Sequence, residues 1–201
     1  MKKLLITTCL LAFASAASFA QKKDVKTVSY GTPFHKGSNT IALGLGFGSG
    51  YGDYYGSVNR SPAILAYYDH GIVDNLGPGN LGIGGILAYG VTRYKYSNGD
   101  KATWANAIVG LRGTWHLTIL AKKNNKFDPY AGAMAGLRFQ SYKDTYYDNH
   151  PGIPNYYDNK GVYPTVGLFV GAKYNFAPNF GAWSELGYDV AFFKLGVNFN
   201  F

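Results

Sequence analysis

From Asn39 onward the chain alternates apolar and polar positions with a period of two, and no segment repeats convincingly with the helical period. Asn39 to Gly48 puts Ile41, Leu43, Leu45 and Phe47 on one face and Ala42, Gly44, Gly46 and Gly48 on the other. Asn80 to Tyr96 opposes Leu81, Ile83, Leu87, Tyr89 and Val91 to Gly82, Gly84, Ala88, Gly90 and Thr92. Asp128 to Tyr142 and Val162 to Phe176 follow the same rule. Ser61 to His70, Trp104 to Leu117, Phe180 to Tyr188 and Ala191 to Phe201 complete eight predicted strands. The stretch Ala102 to Ala121 would also suit a buried helix, but Gly110, Gly113, Trp104, Trp115 and several threonines favour a strand. Most of these strands are about 9 to 15 residues long, long for soluble sheets and sufficient for tilted strands crossing a bilayer.

Charge decides how the two faces are used. Arg112, Arg138, Lys173, Glu185 and Lys194 all fall on the glycine-rich face. A soluble barrel or sandwich would bury the bulky aliphatic face and expose the charges. Small residues packed with charges suit a narrow polar lumen, which turns the aliphatic face toward lipid. Unpaired strand edges are costly in hydrocarbon, so the sheet must close on itself. The expected fold is all-β: a closed antiparallel up-and-down transmembrane β-barrel of eight strands with N- and C-termini periplasmic. Ile72 to Gly79, Ala121 to Phe127 and Ala177 to Asn179 are then periplasmic turns. Ser49 to Arg60, Ser97 to Lys101, Lys143 to Gly161 and Asp189-Val190 are external loops. The facing of Ser61 to His70 stays open.

The N-terminus changes the compartment. Lys2 and Lys3, the apolar run Leu4 to Ala14 and the small-x-small site Ser18-Phe19-Ala20 read as a cleaved signal peptide, 1–20. Residues 21–38 follow as a polar periplasmic tail, and 39–201 as the barrel domain. Cys9, the only cysteine, leaves with the signal, so the mature chain relies on no disulfide. Without Lys2 and Lys3 the chain keeps 17 basic and 11 acidic residues. These charges are dispersed and no recognition motif accompanies them, which argues against nucleic acid and for an anionic lipopolysaccharide surface.

The chain ends KLGVNFNF. Lys194, Gly196, Phe199 and Phe201 occupy the four specified places of the C-terminal pattern by which outer-membrane assembly machinery recognises its barrel substrates. With the signal peptide and eight alternating strands, the mature chain resembles small outer-membrane barrels of the OmpA/OmpX type. The resemblance implies an integral protein of the outer membrane of a Gram-negative bacterium. It also implies contact with outer-membrane lipid and with the barrel-assembly machinery.

An eight-stranded barrel leaves an interior that side chains fill, which disfavours a diffusion pore. Glu185 is the one mid-strand acid confidently placed inside. A tight hairpin at Asp189-Val190 would set it opposite Lys194, with Lys173 diagonal to it and Arg112 or Arg138 reaching across the lumen. An ionic plug is favoured over a proton or ion path. The Lys143 to Gly161 loop carries Tyr-Tyr-Asp-Asn twice, giving Tyr146, Tyr147, Tyr156 and Tyr157 as surface-interaction candidates. Tyrosines near strand ends, Tyr67, Tyr68, Tyr94, Tyr96, Tyr142 and Tyr163 among them, are expected to form an interfacial girdle. His35, His70, His116 and His150 lack metal-ligand spacing, and Gly44-Leu-Gly-Phe-Gly has no helix after it to make a phosphate loop. The expected role is a monomeric, non-catalytic, cofactor-free barrel serving envelope structure or adhesion to an unknown surface ligand through its loops. The alternatives are a lipid-modifying enzyme, a narrow channel or a soluble secreted β-barrel binding protein. Ser184 is predicted to face lipid, but no histidine stands beside it to act as base.

Overall fold

The alternation of glycine with β-branched and aromatic residues produces strands throughout. A computed structural model describes residues 32–48, 58–121, 124–150, 152–153, 155 and 160–201, all within the unit Gly31–Phe201. The strands are β1 (Asn39–Phe47), β2 (Val58–Arg60), β3 (Ala63–Leu76), β4 (Gly79–Lys95), β5 (Lys101–Leu117), β6 (Phe127–Asp144), β7 (Gly161–Ala177), β8 (Phe180–Tyr188) and β9 (Phe193–Asn200). Two short helices intervene, α1 (Thr118–Ala121) and α2 (Thr145–Asn149).

Every pairing is antiparallel, in the ring β1-β3-β4-β5-β6-β7-β8-β9 and back to β1. The three-residue β2 pairs with β4 just beyond the start of β3, so the two share one place in an eight-stranded wall. Pro62, which cannot donate to a ladder, lies at their break, and Ser61 bridges it through bonds to the Val91 carbonyl. Neighbouring chain connections alternate between two ends of the barrel. One end holds residues 32–38 and the C-terminus; the other holds the β6–β7 connection.

The faces sort as the charge pattern requires. Leu43, Val166 and Leu168 point outward, 58%, 74% and 71% exposed, while Arg112, Glu185 and Lys194 are buried to 1% or less. A water-soluble protein would reverse this. Ring closure brings β1 and β9 very close: a Cβ at Gly196 would lie 1.9 Å from the Leu43 carbonyl oxygen. The last register pair is completed by Asn39 and Phe201, which exchange backbone bonds of 3.2 and 3.0 Å.

Three local expectations are corrected. β3 does not stop at His70; it runs on to Leu76 through two register shifts, with Asn75 at φ 57, and turns at Gly77-Pro78. The predicted Ile72 to Gly79 turn is therefore a short hairpin, its strand character hidden because bulges break the alternation. Residues 189–192 are not an open loop: Val190 and Ala191 are buried inside the barrel. Tyr67 is no girdle residue, because odd positions of β3 face inward and its ring packs edge-on to Trp183 at 5.0 Å.

Candidate functional site

Residues facing inward from opposite walls meet in two ionic groups. Toward the β8–β9 hairpin, Glu185 stands directly opposite Lys194 in register and pairs with it at 2.8 Å. Arg112 reaches the same carboxylate from β5 at 2.6 Å, and Tyr130 donates to it at 2.8 Å. Lys194 also pairs with Asp189, which the inward-folded hairpin delivers. The Arg112 guanidinium is held between the rings of Tyr67 and Phe169, 4.0 and 4.4 Å from their centroids. Glu185 thus serves two cations, Asp189 shares Lys194, and aromatic faces flank both.

The second group lies toward the termini. His116 presents Nδ1 to Asp128 at 2.9 Å and Nε2 to Asp69 at 3.5 Å. Thr114 donates to both Asp69 oxygens at 2.9 Å. Lys173 sits 3.8 Å from Asp128 and 3.4 Å from the Thr40 hydroxyl. The tail seals this group. Phe34 is buried and stacks on His116 with centroids 3.6 Å apart, while its carbonyl accepts from Asn80 at 2.7 Å. Gly37 and Gly71 extend the pairing to β3, and a Cβ at Gly71 would lie 2.0 Å from the His35 carbonyl oxygen, so only glycine admits the tail.

Thr114, His116 and Asp128 have the outline of a hydroxyl–imidazole–carboxylate relay, with links of 3.2 and 2.9 Å. The arrangement does not favour attack on a substrate: the Thr114 proton is directed to Asp69, and Phe34 lies flat on the imidazole where a reacting group would sit. Asp69 and Asp128 approach opposite ring nitrogens and converge on no common point, and no three-residue metal cluster occurs among the described residues.

At the other end Asp144 organises an aromatic cluster. One carboxylate oxygen accepts from the hydroxyls of Tyr96 and Tyr142 at 2.7 and 2.6 Å, and the other caps α2 through the Tyr146 N–H at 2.9 Å. Burial first, and then the bond to Asp144, raise the Tyr96 hydroxyl well above its ordinary pKa and keep it a donor. Trp104 packs on Tyr142, and Tyr146 packs on Tyr96, Tyr147 and His150. Asn149 and Thr145 bond Asp100, tying α2 to the β4–β5 turn. Beside this cluster lies an open pocket of about 390 Å³ whose lining includes Tyr142, Asp144, Tyr147, Asp148, Asn155 and Lys160.

The structure brings together Glu185, Lys194 and Arg112 of the predicted lumen cluster. It separates Lys173, which belongs to the His116 group, and Arg138, which bonds Gln140 at 3.1 Å and lies over the Tyr163 ring at 4.9 Å. Of the C-terminal residues, Lys194 faces inward, Gly196 allows the β1–β9 contact, and Phe199 and Phe201 face outward. Tyr146 and Tyr147 both lie in α2, whereas Tyr156 and Tyr157 fall outside the described residues. Glu185 is not alone as an interior acid: Asp69, Asp128 and Asp189 share that role. Asp128 and His116 were missed as interior residues although their inward parity carried the signal; Phe34 gives no periodic signal, standing in a polar tail.

No protein-family model and no curated protein sequence matches the chain. Solved structures do match. Ail of Yersinia pestis, in complex with the heparin analogue sucrose octasulfate, aligns with TM-score 0.52 and 14% identity over 83% of this chain and 99% of that one. OprG, an outer-membrane protein of Pseudomonas aeruginosa, aligns with TM-score 0.50 and 11% identity over 85% and 99%. The fold is that of a small outer-membrane β-barrel. In that barrel the ionic groups are interior, the exposed aliphatic band is the outer wall, and the Asp144 cluster stands at one mouth.

Proposed function

We propose that this chain is an integral protein of the bacterial outer membrane, with its termini in the periplasm, a lumen closed by the Glu185 and His116 groups, and a working surface at its external loops. It has no catalytic role and conducts no ions; it acts by attachment to a surface ligand. The observation that carries this reading is the contrast between the two regions. Interior charges are matched to each other, whereas the Asp144 mouth holds a rigid aromatic cluster beside an open pocket that offers Tyr147, Asp148, Asn155 and Lys160. Tyrosine rings supply contact area at low entropic cost, and the Asn149 and Thr145 bonds to Asp100 hold α2 against the β4–β5 turn before any ligand arrives.

Sulfated glycan is the first probe to use, because the fold neighbour Ail was crystallised with a heparin analogue. Cells displaying the wild-type chain should adhere to a heparin-coated surface, and free sucrose octasulfate should compete. Replacing Tyr146, Tyr147, Tyr156 and Tyr157 with Ala should reduce adhesion about tenfold or more, the loss expected for about 1.4 kcal/mol of binding. Equal adhesion by wild type, variant and cells lacking the protein would refute the attachment role.

A further inference from the structure

The outer wall is not uniformly apolar. On β4, β5 and β6 the outward positions can be followed upward in register from the tail-bearing end. The row Tyr89–Ala107–Phe139 is aromatic and small, and Val91–Ala105–Ser141 follows it. Next come Arg93–Thr103–Lys143, and finally Lys95 directly opposite Lys101. All four cationic side chains are exposed, and among the described residues none meets a carboxylate. The nearest acid in the β4–β5 turn, Asp100, already accepts from Asn98, Thr145 and Asn149. At the same end, the outward positions of β7, β8, β9 and β1 hold Val162, Pro164, Leu186, Tyr188, Phe193 and Phe47 instead. Among these outward strand positions the charge is confined to β4, β5 and β6.

Two lysines directly opposite on one sheet face repel each other, and no carboxylate among the described residues pairs with either. The cost is removed if an anion sits between them. Lys143 lies four steps beyond Phe139, about 14 Å along a strand at ~3.4 Å per residue and about 10 Å in height at the usual barrel tilt. That places the cations just above the aromatic row that marks the edge of hydrocarbon, at the depth of lipid headgroups. Arg93 offers a two-pronged donor and the three lysines offer point charges, a set suited to more than one phosphate.

We propose that Arg93, Lys95, Lys101 and Lys143 form a one-sided site for the headgroup phosphates of a multiply phosphorylated lipid in the leaflet at the loop-bearing end. The site rests on the outer-membrane reading above, which makes that lipid lipopolysaccharide.

The test uses the mature chain refolded in neutral detergent micelles, with its thermal unfolding midpoint followed during titration with phosphorylated lipopolysaccharide, the same lipid stripped of phosphate, or inorganic phosphate. Only the phosphorylated lipid should raise the midpoint. Each of Arg93→Gln, Lys95→Gln, Lys101→Gln and Lys143→Gln should raise the half-saturating concentration about fivefold, and the quadruple variant at least a hundredfold. Lys36→Gln/Lys126→Gln, which lowers charge elsewhere, should leave it unchanged. The single variants remain informative if the quadruple variant does not fold. Unchanged half-saturation in the variants, or an equal response to stripped lipid or to inorganic phosphate, would overturn the site. A chain absent from floated lipid vesicles would instead overturn the outer-membrane reading.

Discussion

At the scale of single residues, the barrel's interior is held by charges that cannot be removed one at a time. Glu185 offsets both Arg112 and Lys194 in the buried interior, so its loss strands Arg112 and leaves Lys194 with Asp189 alone. Removing one partner of a buried pair costs about 3–5 kcal/mol, whereas the intact set against an apolar filling would be near neutral. Glu185→Ala is therefore expected to lower the unfolding midpoint in detergent strongly, and an unaltered midpoint would show that the network does not stabilise the barrel. Its partner on the neighbouring strand was readable from hairpin arithmetic, because a turn at 189–190 fixes 185 against 194. The fate of Lys173 was not, since a diagonal neighbour competes with cross-lumen partners whose position depends on how the whole ring closes. Asp69 was hidden for a related reason: with the facing of its strand undecided, no sequence argument could send it inward to Thr114 and His116.

At the scale of elements, glycine sets how tightly neighbours approach. The closing pair β1–β9 leaves no room for a side chain at residue 196, where the obstacle is the Leu43 carbonyl and cannot rotate away. Gly196→Ala should cost about 1–3 kcal/mol and reduce the fraction migrating as the compact, heat-modifiable band on gels. Gly113→Ala, whose Cβ meets nothing within 4 Å, should migrate as wild type. Equal loss in both would mean that backbone entropy rather than closure governs these positions. The long strands were legible because their alternation is strict; the lower end of β3 was not, because bulges shift the faces out of phase. Nor was the docking of the tail. Phe34 enters the barrel by stacking and by glycine-dependent backbone contact, neither of which leaves a periodic trace in sequence.

At the scale of the molecule, one inversion organises everything else: aliphatic side chains cover the outside and ions fill the inside. Only a surrounding hydrocarbon phase makes that arrangement favourable, and the described strands close into an eight-place ring, as that phase requires. The most direct test is fluorescence quenching from single cysteines carrying a fluorophore, placed at Leu43, Leu168 or Val197 in the mature chain folded into lipid vesicles. These three positions face outward on β1, β7 and β9. The account predicts strong quenching by nitroxide groups in the acyl chains and little by aqueous iodide at all three. Quenching by iodide with none from the acyl chains would contradict it.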